Sequence, residues 1–157
     1  MTTTRTVNTI DELKTLVGQE LGVCDWVEIT QDRVNQFADV TGDHQWIHVD
    51  VERAKASPLG GPIAHGFLTL SLIPMLGQVR EGVKVSIPHK QVFNYGLNRV
   101  RFISPVKVGA RIRMRTTLQA VDEVGPGALQ ITNVQTIEIE DAERPAMVAE
   151  SLVRFYL

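Results

Sequence analysis

The chain has 157 residues, 43% of them hydrophobic and 22% charged, with 16 Lys and Arg against 18 Asp and Glu for a formal net charge of −2. That is the size and polarity of one soluble globular domain, long enough to bury about 70% of its unfolded surface. Near-balanced charge, with no Lys/Arg run and no aromatic-basic alternation, excludes the electrostatic footprint that nucleic acid requires.

The longest apolar stretch, Phe67 to Leu76, is interrupted by Thr69, Ser71 and Pro74. It has half the ~20 apolar residues a membrane helix needs, so no membrane span is expected. The opening residues lack an apolar signal core before acids and lysine appear. Cys24 is the sole cysteine, which excludes an intrachain disulfide and a Cys-based zinc site. Both features suit a reducing cytoplasm.

Apolar residues at Ile10, Leu13, Leu16 and Val17 follow a 3.6-residue spacing behind Thr9, a candidate N-cap, and predict a short leading helix. Residues 1–20 then form an N-terminal helical extension of a single domain spanning 1–157. Val23 to Ile29 alternates as a strand. Thr30 opens a helix carrying Val34, Phe37 and Ala38 on one face, and Gly42 ends it. Asp43 to Gly66 reads as loop with one helical turn near Val51 to Ala56, because Pro58, Gly60, Gly61 and Pro62 interrupt longer structure.

His65 to Arg80 is apolar nearly all round and predicts a buried helix, kinked at Pro74, which cannot donate to the carbonyl one turn back. The period then changes. Val92–Ile103, Ala110–Val121, Ala128–Glu140 and Ala146–Tyr156 are β-rich runs bounded by Pro and Gly turns, and predict four long strands in meander order. A sheet wrapped about a central buried helix follows, an α+β layout.

Chemistry concentrates between Asp39 and Asp50. The segment holds three acids, Asp39, Asp43 and Asp50, and two imidazoles, His44 and His48. General acid–base work needs a carboxylate and an imidazole converging on one atom or water. Asp43 and His48 are the candidate pair; they are too far apart for one regular helix face, but Gly42 lets a loop aim both into one pocket. The bland alternative is a turn-forming Asp43 and a hydrogen-bonded loop histidine. Asp39 and Asp50 read as solvated or capping residues. His44 and His48 also have the i, i+4 spacing of a zinc-binding helix. Gln45 stands where the zinc motif needs a glutamate, however, and no third ligand is evident, so no metal is expected.

Ahead of the buried helix lies Gly60-Gly61-Pro62-Ile63-Ala64-His65-Gly66. A helix start presents unpaired N–H groups, and Gly66 lets another molecule approach the backbone closely, so a carbonyl docked there would be polarised. Gly66 could equally serve only helix–sheet packing, with His65 a structural cap. Arg111, Arg113 and Arg115 alternate onto one strand face; such an array can meet a phosphate or form a solvated outer face, and Arg99 and Arg101 share both readings.

The run Thr41-Gly42-Asp43-His44-Gln45-Trp46-Ile47-His48-Val49-Asp50, followed by Ile63-Ala64-His65-Gly66-Phe67-Leu68, resembles the signature of the MaoC-like, (R)-specific enoyl-CoA hydratases and dehydratases of the hot-dog fold. The resemblance extends to Asn94–Phe102, Pro105-Val106 and Gly109, covers the chain from about residue 20 onward, and is strongest to the small single-hot-dog members, including the nodulation protein N-like group.

The resemblance implies that Asp43 and His48 hold and activate the water that adds to a trans-2-enoyl thioester, and that the N–H of Gly66 binds the thioester carbonyl. It adds His65, Tyr95 and Asn98 as candidate substrate-binding residues. No cofactor beyond the CoA thioester itself is implied, the carrier is CoA or acyl carrier protein, and the assembly is a homodimer with CoA near its interface. Family members often carry Asn-Pro between the Asp and His, where this chain has Gln45-Trp46. A hot-dog thioesterase and a non-catalytic thioester-binding module are the competing expectations. The first is disfavoured because His65 to Arg80 contains no Asp or Glu, where many such thioesterases carry an acid; the second is disfavoured because both Asp43 and His48 are present. Depth beside the helix, near Phe67, Leu68, Ser71, Leu72 and Met75, would set acyl chain length.

Overall fold

The computed structural model describes residues 5–157. A short strand β1 (Arg5–Val7) precedes helix α1 (Ile10–Lys14), which Thr9 caps by accepting the N–H of Glu12. The leading helix is therefore shorter than its apolar spacing predicts. The extension is also not purely helical, since β1 pairs in parallel with a later strand, β4 (Arg80–Val85). Residues 1–4, the rest of the expected extension, lie outside the described residues.

The strand expected over Val23 to Ile29 is two, β2 (Glu20–Cys24) and β3 (Val27–Glu28), both paired to β6 (Arg111–Gly125). Helix α2 (Gln31–Thr41) follows as predicted: Thr30 accepts from the N–H of Arg33, and Gly42 closes the helix at φ 77°, a left-handed conformation that costs glycine no Cβ clash. The next segment is less loop-like than expected, because a single turn, α3 (Trp46–Val49), precedes α4 (Val51–Lys55).

The central helix is two pieces, α5 (Gly66–Ser71) and α6 (Ile73–Gln78), with Pro74 at the start of the second. Proline is tolerated in a first helical turn, where its missing N–H has no partner to lose. The break falls where a kink is predicted. The helix is not apolar-buried all round, since Phe67 is 67% exposed; Leu68, Leu72 and Leu76 are its buried apolar residues, with Leu70, Ile73 and Met75 packed against the same core half-buried. It also ends short of Arg80, where β4 begins; Arg80, Glu81 and Lys84 leave that strand without clean alternation.

The long strands are β5 (Gln91–Phe102), β6, β7 (Ala128–Ile139) and β8 (Met147–Tyr156), close to their predicted spans. Sheet order is β1-β4-β2-β6-β7-β8-β5, so β6, β7 and β8 form a meander but β5 lies at the far edge beside β8. The expected meander of all four is thus corrected. The cause is local: the residues after β5 pair with the loop before α5, through Ala64 N–H to Val106 O at 2.8 Å and Val108 N–H to Pro62 O at 2.9 Å, instead of turning β5 back onto β6.

One core lies between α5–α6 and the sheet, built on Leu68, Leu72, Leu76, Ile112, Met114 and Met147. A second joins Val7 and Leu13 to Leu118 and Leu129, which ties the N-terminal residues into the same domain.

Candidate active site

Helix α2, α3 and the start of α5 converge on one point. Gln31 donates to the carbonyl of His48 at 2.8 Å and so pins α3 to the start of α2. Ile63 donates its N–H to Ile47 O at 3.0 Å, which draws the loop before α5 onto α3. The result places Asp43, His48 and His65 together, one polar atom of each within 4.8 Å of the others.

Each is oriented by backbone. The Nδ1 of His48 lies 2.6 Å from the carbonyl oxygen of Ile63. A carbonyl can only accept, so in the neutral ring Nδ1 carries the proton and Nε2 keeps its lone pair. His65 Nε2 donates to the main-chain oxygen of Asp43 at 2.9 Å, and Asp43 Oδ1 accepts the N–H of Gln45 at 3.3 Å. His65 lies against His48 on one side and Phe37 on the other, centroids 5.0 Å apart.

His48 and His65 are buried, whereas the side chain of Asp43 is 55% exposed. Burial is the main cause holding the His48 imidazole below its ordinary pKa; the Ile63 carbonyl opposes that shift, and the neighbouring His65 adds to it. His48 is therefore neutral at pH 7.

A cavity of about 280 Å³ opens beside this group, lined by His48, Gly66, Thr69, Phe102, Ser104 and Val106 among others. Gly66 is the first residue of α5, and the Phe102 ring sits over its bare Cα, so a Cβ there would stand 3.0 Å from ring carbons. Close packing and access to the helix-start N–H thus come from the same absent side chain. His65 N-caps α5 by backbone position only, since its ring is engaged with Asp43.

Tyr95 and Asn98 are not brought to this cavity. Both lie on the exposed edge strand β5, with Arg154 over the Tyr95 ring at 3.3 Å and Asn98 donating to Glu150 at 2.6 Å. Thr69, Phe102 and Ser104 line the cavity and are absent from the sequence-based candidates. Thr69 is one turn beyond His65 in α5; Phe102 ends β5 and Ser104 follows it, in a segment that the Ser104-Pro105 turn signal and the family resemblance reach without singling out either residue.

The remaining expectations resolve simply. Asp50 caps α4 by accepting from Arg53 N–H, and Asp39 accepts from exposed His44 at 2.9 Å. Arg111 pairs with Glu140, and Arg113 and Arg115 both pair with Glu138. Trp46 occupies the first position of α3, where a proline would fit equally well, and its ring lies 4.3 Å under the Arg53 guanidinium.

For a divalent cation the trio offers the Asp43 carboxylate and His48 Nε2, but His65 presents its Nε2 to a backbone oxygen and its other nitrogen, Nδ1, is buried. A two-ligand remainder is not the closed set of a structural site.

A long antiparallel sheet around a broken central helix defines a hot-dog fold, and a carboxylate and a free imidazole nitrogen meet at the start of that helix. Residues 12–140 match the MaoC like domain, and the chain belongs to that family. It is 50% identical over 154 residues to 3-hydroxyacyl-thioester dehydratase Z of Mycobacterium tuberculosis, covering 96% of this chain and 98% of that one. It is 47% identical over 134 residues to Nodulation protein N of Rhizobium leguminosarum bv. viciae, covering 85% and 82%. Among solved structures, the (R)-hydratase from A. caviae involved in PHA biosynthesis superposes with TM-score 0.69 at 25% identity, over 87% of this chain and 94% of that chain.

Proposed function

We propose that the protein is an (R)-specific enoyl-thioester hydratase, adding water reversibly to trans-2-enoyl thioesters to give (R)-3-hydroxyacyl thioesters. The observation that carries this reading is the free Nε2 of a neutral, backbone-locked His48 beside the Asp43 carboxylate, at the mouth of a helix start. The dehydratase relative, matched over nearly its whole length, supports the same reaction class.

Water lies between Asp43 and His48. The carboxylate accepts one water proton as a hydrogen bond and orients the oxygen, while His48 Nε2 takes the other proton as the oxygen bonds to the β-carbon. Electron density moves through the α-carbon to the thioester oxygen, which the Gly66 N–H holds; one such donor contributes roughly 10²–10³ in rate. The imidazolium then returns its proton to the α-carbon on the face that received the hydroxyl. Addition and protonation from one face make the hydration syn, and His48 ends neutral; the β-carbon face turned to the water sets the configuration, and likeness to the (R)-hydratase from A. caviae supports R. Oxidation states balance without a redox partner, so the reaction calls for no cofactor beyond the thioester carrier, CoA or acyl carrier protein.

The working assembly is a homodimer joined along β5. That strand is exposed over almost its whole length, and its outer edge has no partner strand among the described residues; Val92, Phe93, Leu97 and Phe102 leave 41 to 50% of their surface open. An unpaired apolar edge of this length is a surface that a second copy covers. Tyr95 and Asn98, remote from their own cavity, lie on this β5 joint. Among the described residues no helix is long and apolar enough to cross a membrane; the cytoplasm is the compartment we assign, and the buried lone Cys24 is compatible with it.

The test is direct. Purified protein is mixed with a short trans-2-enoyl-CoA and the conjugated-thioester absorbance is followed, with free thiol assayed in parallel. Loss of absorbance without thiol release is the expected result; thiol release would replace the hydratase reading with a thioesterase.

A further inference from the structure

A second and larger cavity, about 520 Å³, lies along the same helix, between Leu70 to Gly77 and the inner face of β6, β7, β8 and β5. Its position follows from the helix. At about 1.5 Å per residue, the segment Leu70 to Gly77 begins roughly 6 Å and ends roughly 16 Å beyond Gly66, the range a bound acyl chain would cover after leaving the thioester site.

Its floor is not what an alkyl chain needs. Thr116 is directly opposite Gln135, and Asn133 directly opposite Ser151, while Asn133 and Gln135 are two residues apart on one face of β7. The four form a contiguous polar patch in the middle of the sheet. Thr116 is 1% exposed, Gln135 5% and Ser151 7%. Each still has a side-chain oxygen with no hydrogen-bond partner, as does Asn133, and the buried Nε of Arg80 on the cavity wall is also unpartnered.

Buried polar atoms are nearly always paired, because leaving one unsatisfied forfeits its hydration with nothing in return. Four such oxygens around one cavity are a site for something that supplies partners. Sequence pattern alone favours the opposite: the neighbouring inward positions Met114, Leu118 and Ile137 are apolar, as a plain core demands.

We propose that this cavity receives the distal part of the acyl chain and selects chains bearing a hydroxyl or carbonyl oxygen over plain alkyl chains of the same length. The inference rests on the hydratase reading above. A hydroxyl both donates and accepts, and so pairs with the amide and hydroxyl groups of Asn133, Gln135, Thr116 and Ser151; a carbonyl accepts from the same hydroxyls and from Arg80 Nε–H. An alkyl chain would bury all of them unpaired.

The test compares a medium-chain trans-2-enoyl-CoA with its ω-hydroxy and keto derivatives, in the wild type and in the triple variant Thr116→Val, Gln135→Leu, Ser151→Ala. The wild type is expected to favour the oxygenated substrates about tenfold or more in kcat/KM, the ratio that one unsatisfied buried group implies. In the variant the alkyl substrate gains and the oxygenated ones lose, so the ratio inverts, while thermal stability rises because unpaired polar groups have been replaced by apolar ones of similar shape. A wild type that prefers the alkyl chain, a variant that keeps the wild-type ratio, or a variant that melts lower would each overturn the proposal. Turnover of the alkyl substrate without oxygen preference removes this inference alone. Turnover of no enoyl thioester removes the hydratase reading with it.

Discussion

His48 and His65 stack face to face, ring centroids 3.7 Å apart and planes inclined by 25°. Two imidazolium ions cannot share that contact inside a protein without a large electrostatic cost, so the stack itself favours a neutral His48. Burial acts in the same direction. The folded protein therefore gives up the His48 proton more readily than the unfolded chain, whose histidines titrate near pH 6.5. As pH falls, the unfolded chain takes up the proton first. The stability tied to His48 is full above about pH 6.5 and is lost as pH drops through the lower folded value. The kcat/KM profile should stay flat down to about pH 6.5 and fall only below it, and an NMR titration of the His48 ring should give the same midpoint. A midpoint above 6.5 would contradict the neutral-base assignment.

His65→Phe should separate orientation from chemistry. Phenylalanine keeps a ring between Phe37 and His48 but loses the 2.9 Å bond to the Asp43 carbonyl and the neighbouring imidazole that pushes the His48 pKa down. The acid limb of the pH profile should move upward, and kcat should fall through a looser Asp43 loop, without abolishing activity. An unchanged profile would show that His65 neither tunes His48 nor positions Asp43.

Asp43→Asn and His48→Ala should each reduce kcat by roughly 10²–10⁴, the usual weight of a positioned acid–base group. Their effects on folding should differ. His48 is 6% exposed and Asp43 largely open, so His48→Ala should lower stability by about 1–3 kcal/mol, whereas Asp43→Asn should leave thermal unfolding within experimental error of wild type. Calorimetry beside the kinetic assay checks both.

The local pieces of this fold are readable because each depends on neighbours in sequence. Thr30 and Gly42 bracket α2 as their capping chemistry requires, and the Gly125-Pro126-Gly127 turn fixes the β6–β7 hairpin. What depends on distant partners is not readable. The period-2 pattern of β5 says that it is a strand, yet the hydrogen bonds between residues 62–64 and 106–108 decide that it pairs with β8. The split of the central helix at Leu72–Ile73 was signalled by Pro74, but β4 was hidden by its charged residues and by continuity with the helix before it. In the site, Asp43 and His48 announce themselves by residue type at close spacing. Thr69 and Phe102 carry no such mark, since a threonine in a helix and a phenylalanine in a strand are ordinary until the chain is folded.

Gly66→Ala places a methyl group 3.0 Å from the Phe102 ring, closer than carbons pack without displacement. The ring is 47% exposed in the single protomer and packs on no core residue across that face, so it can shift along the dimer joint. Thermal stability should therefore drop by only a few degrees, consistent with overpacking of about 1–3 kcal/mol, while kcat/KM falls further because the shifted ring lines the cavity. Adding Phe102→Leu should restore stability; if it restored activity fully as well, the glycine would be needed for packing alone.

The arginine row on β6 is the last feature whose role is decided by its partners. Arg113 and Arg115 reach Glu138 at 2.6 and 2.8 Å, and Arg115 also reaches Glu20 at 2.9 Å, so neither guanidinium is left waiting for a phosphate. Burial pulls the Glu138 carboxyl upward, but hydrogen bonds from the two arginines outweigh it and leave the group below its ordinary value. Its contribution to stability is present above about pH 4.5 and is lost as pH falls through the folded value. Arg113→Ala should then cost about 1 kcal/mol for a half-buried ion pair, plus the loss of its contact with Trp26 at 4.4 Å. KM for an enoyl-CoA should not change in Arg113→Ala or Arg115→Ala. A rise of tenfold or more that vanishes when the substrate lacks the CoA phosphates would instead assign this face to the carrier.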